Sequence, residues 1–216
     1  MTQAHKHFIP AAGKHWALPF YDLMAKLLGA DRARKALAGQ AADGAAGRWL
    51  DIGCGTGSLL VLLKQTRPDA EVVGMDPDAG ALALARRKAE RAGLSIQLDQ
   101  GFADALPYPD ASFDRVFSSL MYHHLSKADK PRMLHEVRRV LKPGGVFHMM
   151  DLGGPASVKR GFLARHVHSG EHLKDNDEER VLAAMRDAGL ADARVAERVS
   201  ARVGDLACYR ASAPAA

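Results

Sequence analysis

The run Arg48-Trp49-Leu50-Asp51-Ile52-Gly53-Cys54-Gly55-Thr56-Gly57 constrains this chain more than any other stretch. Trp49, Leu50 and Ile52 read as a short strand, three glycines spaced two apart break it, and Ser58 to Lys64 is apolar enough for a helix. Strand, glycine turn and helix in that order aim backbone N–H groups and a positive helix end at one edge of a sheet. That edge suits a nucleotide-like ligand. The competing reading, a tight turn with no ligand, weakens as further signals accumulate downstream.

The alternation continues. Ala70 to Met75 reads as a second strand ending at Asp76, followed by a helix from about Asp78 to Ala92 with Gly93 past its end. Leu94 to Leu98 alternates apolar and polar residues as a third strand, and Phe113 to Ser118 follows a proline-containing loop as a fourth. A helix from about Lys127 to Leu141 stops at Lys142-Pro143-Gly144-Gly145, before a fifth strand over Val146 to Met150. Residues 151 to 175 are irregular; Asn176 then caps a helix ending at Gly189, and strand-like pieces cover about 193–199 and 204–211. Upstream, Phe20, Leu23, Met24, Leu27 and Leu28 share a helix face, Asp31 can cap a helix to about Ala38, and 39–47 reads as a linker. The expected organisation is an N-terminal helical cap over 1–46 and one compact unit over 47–216. In a sheet with helices on both faces, ligands gather at the C-terminal strand ends.

Composition narrows the partners. Thirty Lys and Arg against 25 Asp and Glu leave +5, scattered along helix-like segments, which fits solvated faces better than a nucleic-acid surface. Cys54 and Cys208 are too few for a disulfide framework, and no residue near Cys54 is arranged to activate a thiol. No run of about 18 apolar residues and no signal-peptide core occurs, so a cytoplasmic protein without a membrane span is expected. No metal site is expected, although His166, His168 and His172 cluster in the irregular segment.

Glycine spacing selects the cofactor. Dinucleotide folds use G-x-G-x-x-G against a pyrophosphate, whereas here Gly53, Gly55 and Gly57 run G-x-G-x-G with Ser58 in the last place. Asp51 stands just before the turn, where it would repel a pyrophosphate but attract an ammonium or sulfonium. Asp76 ends strand two, 23 residues past Gly53, a spacing suited to a carboxylate accepting both ribose hydroxyls; a plain helix cap is the alternative. S-adenosylmethionine satisfies these features and a pyridine dinucleotide does not.

Leu50 to Gly57 resembles motif I of class I S-adenosylmethionine-dependent methyltransferases. Val73-Gly74-Met75-Asp76, the loop Ala103 to Asp114 and Leu141-Lys142-Pro143-Gly144-Gly145 resemble three further motifs of that family, in order. The nearest branch is the small-molecule one with the ubiquinone/menaquinone-biosynthesis enzymes. The resemblance implies a doubly wound α/β fold: a mostly parallel, seven-stranded, Rossmann-like sheet with the N-terminal cap. It places Gly53, Cys54, Gly55 and Gly57 along the methionine part of the cofactor, with Asp51 near its ammonium. Asp76 would take the ribose, Met75 and Pro77 would flank the adenine, and Ser118 and Ser119 would touch the methionine tail. Phe102 stands where the family often has an acid, so Ala103 and Asp104 become the alternative adenine contacts, and Tyr21 would close over the site. His123 and His124 are the candidate bases, with a purely structural role equally open. The expected reaction is in-line methyl transfer to an O, N, S or C nucleophile of a small molecule, by a monomer or homodimer. RNA or protein methylation, and cofactor binding without turnover, are the alternatives.

Overall fold

A computed structural model of the protein describes residues 29–42, 46–153, 177–201 and 204–215. Its elements are α1 (Ala30–Gly39), β1 (Arg48–Ile52), α2 (Ser58–Thr66), β2 (Glu71–Asp76), α3 (Ala79–Arg91), β3 (Gln97–Gln100) and β4 (Phe113–Ser119). After a 3-10 turn at Tyr122–His124 come α4 (Asp129–Val140), β5 (Leu141–Leu152), α5 (Glu178–Asp187), β6 (Ala191–Ala201) and β7 (Gly204–Ser212). They form one seven-stranded sheet in the order β3-β2-β1-β4-β5-β7-β6. β1 pairs in parallel with β2 and β4, β2 with β3 and β4 with β5; only β7 runs against its neighbours. The expected doubly wound fold is therefore present.

The order decides where a ligand can enter. The chain builds outward from β1 to β3, then returns to lay β4 on the other side of β1. Helices on the two sides of that reversal cannot both cover the strand ends, which leaves a crevice at the C-terminal ends of β1 and β4. Parity fills the two faces. Leu50 and Ile52 of β1 join Val73, Phe147, Met149 and Tyr209 in one core layer beneath α4 and α5. Trp49 joins Phe117, Met150 and Cys208 in the other, beneath Leu37 of α1 and Leu59, Leu60 and Leu63 of α2. Because both layers are dry, β1 reads as a nearly continuous apolar run.

Several boundaries differ from the sequence expectation for local reasons. The third strand lies at 97–100, not 94–98, because the N–H groups of Gly93 and Leu94 bond back to Glu90 and Ala89 and close α3. Helix α1 is capped by Gly29 in a left-handed conformation (φ 89°); Asp31 sits inside the first turn, 3.3 Å from Arg34. The cap of α5 is Asp177, whose carboxylate accepts the Glu179 N–H, while Asn176 lies outside the described residues. The helix expected over 20–28, Tyr21, the centre of the 39–47 linker and His166, His168 and His172 also fall outside them.

Candidate functional site

The glycine turn sits at the crevice. Gly53 and Cys54 both donate their N–H to the Met75 carbonyl (2.8 and 3.0 Å), and the Gly55 N–H donates to Asp76 Oδ2 at 2.8 Å. Gly53 (φ 70°) needs its freedom twice, for its left-handed backbone and because Met121 fills the space a methyl would take. Above Gly55 (φ 53°) a methyl would meet nothing within 4 Å, so the turn opens toward space a ligand can use. Gly57 caps α2. Cys54 is a buried thiol whose pKa is pushed up by burial and by Asp51 and Asp76, the opposite of an activated nucleophile.

Two acids face this turn. Asp76, at the end of β2, accepts from Gly55 through one oxygen and from the Asp78 N–H (2.9 Å) through the other. Each carboxylate oxygen has a second lone pair, so both hydroxyls of a ribose can still be accepted. Burial raises its pKa against the pull of those N–H groups. Asp51 is different: it is 1% exposed, and neither carboxylate oxygen has a hydrogen-bond partner. Burial, then the nearby Asp76 charge, pushes its pKa well up, with Arg34 of α1 opposing. A buried carboxyl without a donor fits a ligand that brings one, such as an ammonium. The Ser118 and Ser119 hydroxyls at the end of β4 are likewise buried and unpartnered. The residues present therefore fit S-adenosylmethionine.

Beyond the ends of β2 and β3, Gly101 N–H reaches the Asp76 carbonyl (3.3 Å), and Gln100 Nε2 donates to the Pro77 carbonyl (2.9 Å). Phe102 and Ala105 form a bridge, so Ala103 and Asp104 sit half-buried at the tip of a tight turn beyond β3. Pro77 thus sits against the end of β3, the strand that leads into the Phe102–Asp104 turn.

The histidines after β4 acquire a partner that sequence reasoning missed. His123 Nδ1 lies 2.7 Å from Asp151 Oδ1, and its backbone N–H donates to Asp151 Oδ2 at 3.1 Å. Asp151 ends the buried part of β5 and is 1% exposed. Burial alone would lower the His123 pKa, but the Asp151 charge and hydrogen bond raise it above 6.5; Asp151 itself is held below its usual range by His123 despite burial. With Nδ1–H donating to the carboxylate, Nε2 carries the lone pair. His124 packs against His123 with the rings tilted by 42° and their centroids 4.0 Å apart. Between the serines and this pair, Leu120 holds a left-handed backbone (φ 55°), a conformation that costs a non-glycine residue about 1–3 kcal/mol and clusters at functional sites. A signal for Asp151 existed: like Asp51 and Asp76, it is an acid where an apolar strand stops.

Comparison with known proteins agrees with this geometry. Residues 50–145 match a family described as a methyltransferase domain. The chain is 41% identical over 150 residues to a demethylmenaquinone methyltransferase of Thermus thermophilus, covering 68% of this chain and 67% of that one. It is 34% identical over 139 residues to the ubiquinone/menaquinone biosynthesis C-methyltransferase UbiE of Desulfotalea psychrophila, covering 63% and 55%. The matches thus span between about half and two thirds of these relatives' lengths. A solved S-adenosylmethionine-dependent methyltransferase from Aquifex aeolicus superposes with a TM-score of 0.67 over 93% of this chain and 98% of that one, at 21% identity, a likeness of fold. With these motifs on this sheet, the chain belongs to the class I S-adenosylmethionine-dependent methyltransferases, in the ubiquinone/menaquinone-biosynthesis branch, and S-adenosylmethionine is its cofactor.

Proposed function

We propose that this chain methylates a ring carbon of an aromatic diol, the reduced form of a quinone, with His123 as the base. The observation that carries the reading is the His123–Asp151 pair at the crevice edge. When bound, the cofactor supplies an electrophilic methyl group on a sulfonium, already a good leaving group. The protein's task is therefore positioning, exclusion of water and management of one proton. A quinone ring carbon is electron-poor, whereas a diol that loses a hydroxyl proton becomes nucleophilic at the adjacent carbon. His123 takes that proton at Nε2, while Asp151 holds the ring's tautomer and orientation and stabilises the imidazolium. As the C–CH3 bond forms and the methyl–sulfur bond breaks, the hydrogen on the methylated carbon leaves as a proton, the ring regains aromaticity, and the imidazolium returns its proton to the diol oxygen. His124 packs the imidazole in place and lines the acceptor side.

The remaining residues divide the cofactor between them. Asp51 takes the ammonium, Gly53, Cys54, Gly55 and Gly57 line the methionine portion, and Ser118 and Ser119 meet its tail. Asp76 takes the ribose; Pro77, Phe102, Ala103 and Asp104 enclose the adenine. The relatives' names supply the quinone class. Among the described residues no helix is long and apolar enough to cross a membrane. The protein acts in the cytoplasm as a monomer or homodimer.

The test is anaerobic incubation with S-adenosylmethionine and a short-chain 2-alkyl-1,4-naphthalenediol, followed by mass spectrometry. A product heavier by one methylene with the methyl on ring carbon supports the reading. Cofactor binding without a carbon-methylated product overturns it.

A further inference from the structure

Tyr209 is wholly buried in the core layer beneath α4 and α5, yet its phenol oxygen has no hydrogen-bond partner. Buried hydroxyls are normally paired, so this one asks for an explanation. Its position supplies one. Tyr209 lies on β7 opposite Met149 of β5, and Asp151 is two residues further along β5 on the same face. The phenol oxygen reaches past the Asp151 row toward the strand's end, where a methyl on Gly153 would come within 3.1 Å of it. Glycine at 153 leaves room for that oxygen. Burial, then the carboxylates of Glu178, Asp151 and Asp177, raises its pKa, so the group stays a phenol and a donor.

The edge of β5 therefore carries two polar points of opposite kind: His123, whose free ring nitrogen accepts, and the Tyr209 phenol, which donates. Building on the aromatic-diol reading, we propose that Tyr209 is an acceptor-binding residue, its phenol donating a hydrogen bond to the diol oxygen that His123 does not deprotonate. Two oxygens on one ring then fix which ring carbon faces the methyl group. The pair would select diols over mono-ols, because only a diol brings the acceptor that the buried Tyr209 hydroxyl lacks.

The experiment compares the 2-alkyl-1,4-naphthalenediol with its 3-alkyl-1-naphthol analogue, which lacks the hydroxyl beside the alkyl chain, in the wild type and in Tyr209→Phe. Calorimetric binding of S-adenosylmethionine and thermal unfolding are measured in parallel. The wild type should prefer the diol by about tenfold or more in kcat/KM. Tyr209→Phe should lose that preference mainly through a higher KM for the diol, with cofactor affinity unchanged. An equal preference in both proteins, with or without a change in melting temperature, overturns the assignment while the diol reading stands. A wild type that binds the cofactor and methylates neither compound overturns both.

Discussion

The Gly55 N–H and Asp76 Oδ2 are 2.8 Å apart, so the acid that ends β2 also ties the glycine turn to that strand. One carboxylate thus shapes the turn and keeps lone pairs that a ribose can use. The same economy recurs at Asp151, which orients His123 through both its ring and its backbone.

Asp76→Asn keeps an oxygen for one of the two backbone donors and removes the charge. It should weaken S-adenosylmethionine binding by about 10- to 100-fold, the equivalent of roughly 1.5–3 kcal/mol for hydrogen bonds to a charged group. Isothermal calorimetry measures this directly. Affinity within twofold of the wild type would remove Asp76 from the ribose site.

With an ammonium at Asp51, cofactor binding should be a proton-linked event. Its pKa is raised in the free protein, and a bound ammonium favours the ionised form. Binding should release protons, and affinity should rise with pH until the free-protein pKa is passed, then level off. Calorimetry in buffers of different ionisation enthalpy should reveal the release in the wild type and its loss in Asp51→Asn. Identical enthalpies in every buffer would count against an ammonium at Asp51.

The His123–Asp151 pair sets a pH profile. A base must lose its proton to act, so kcat/KM should climb with pH to a plateau, with an apparent pKa above 6.5 because Asp151 stabilises the charged ring. The two groups titrate together, so that value belongs to the pair. Asp151→Asn removes the stabilising charge and should move the rise to lower pH while lowering the plateau. A profile unchanged in Asp151→Asn would exclude the pair from proton transfer.

The loop between β3 and β4 is clamped to α4. Arg139 donates to the carbonyls of Tyr108 (2.7 Å) and Leu106 (3.0 Å), while Glu136 accepts the Leu106 N–H and pairs with Arg139. The site is partly exposed, which discounts the ion pairs, so Arg139→Ala should cost about 1–2 kcal/mol of stability. Ala111, in the same loop, is exposed with φ 48°, and Ala111→Gly should gain up to about 1 kcal/mol by relieving that strain. Urea unfolding checks both signs.

Particular residues show what was readable before the fold was known. The glycine turn, Asp51, Asp76 and the alternation of strands and helices through Met150 follow from local periodicity and backbone chemistry, and the structure keeps them. The slipped third strand was less legible, because Ile96 and Leu98 suit a strand while Gly93 and Leu94 were needed to close α3. Asp151 was in plain view at a strand end but looked like the start of a loop.

By itself the sequence determined the cofactor edge, since a tight turn and the acids beside it are set by residues close along the chain. Only the tertiary structure decided what gathers at the C-terminal end of β5. His123 meets Asp151 because β4 lies beside β5, and Tyr209 reaches the same edge because β7 inserts antiparallel between β5 and β6. Strand order and pairing register bring together residues 28 positions apart in the His123–Asp151 pair. That juxtaposition is a property of strand order within the sheet, and no local pattern encodes it.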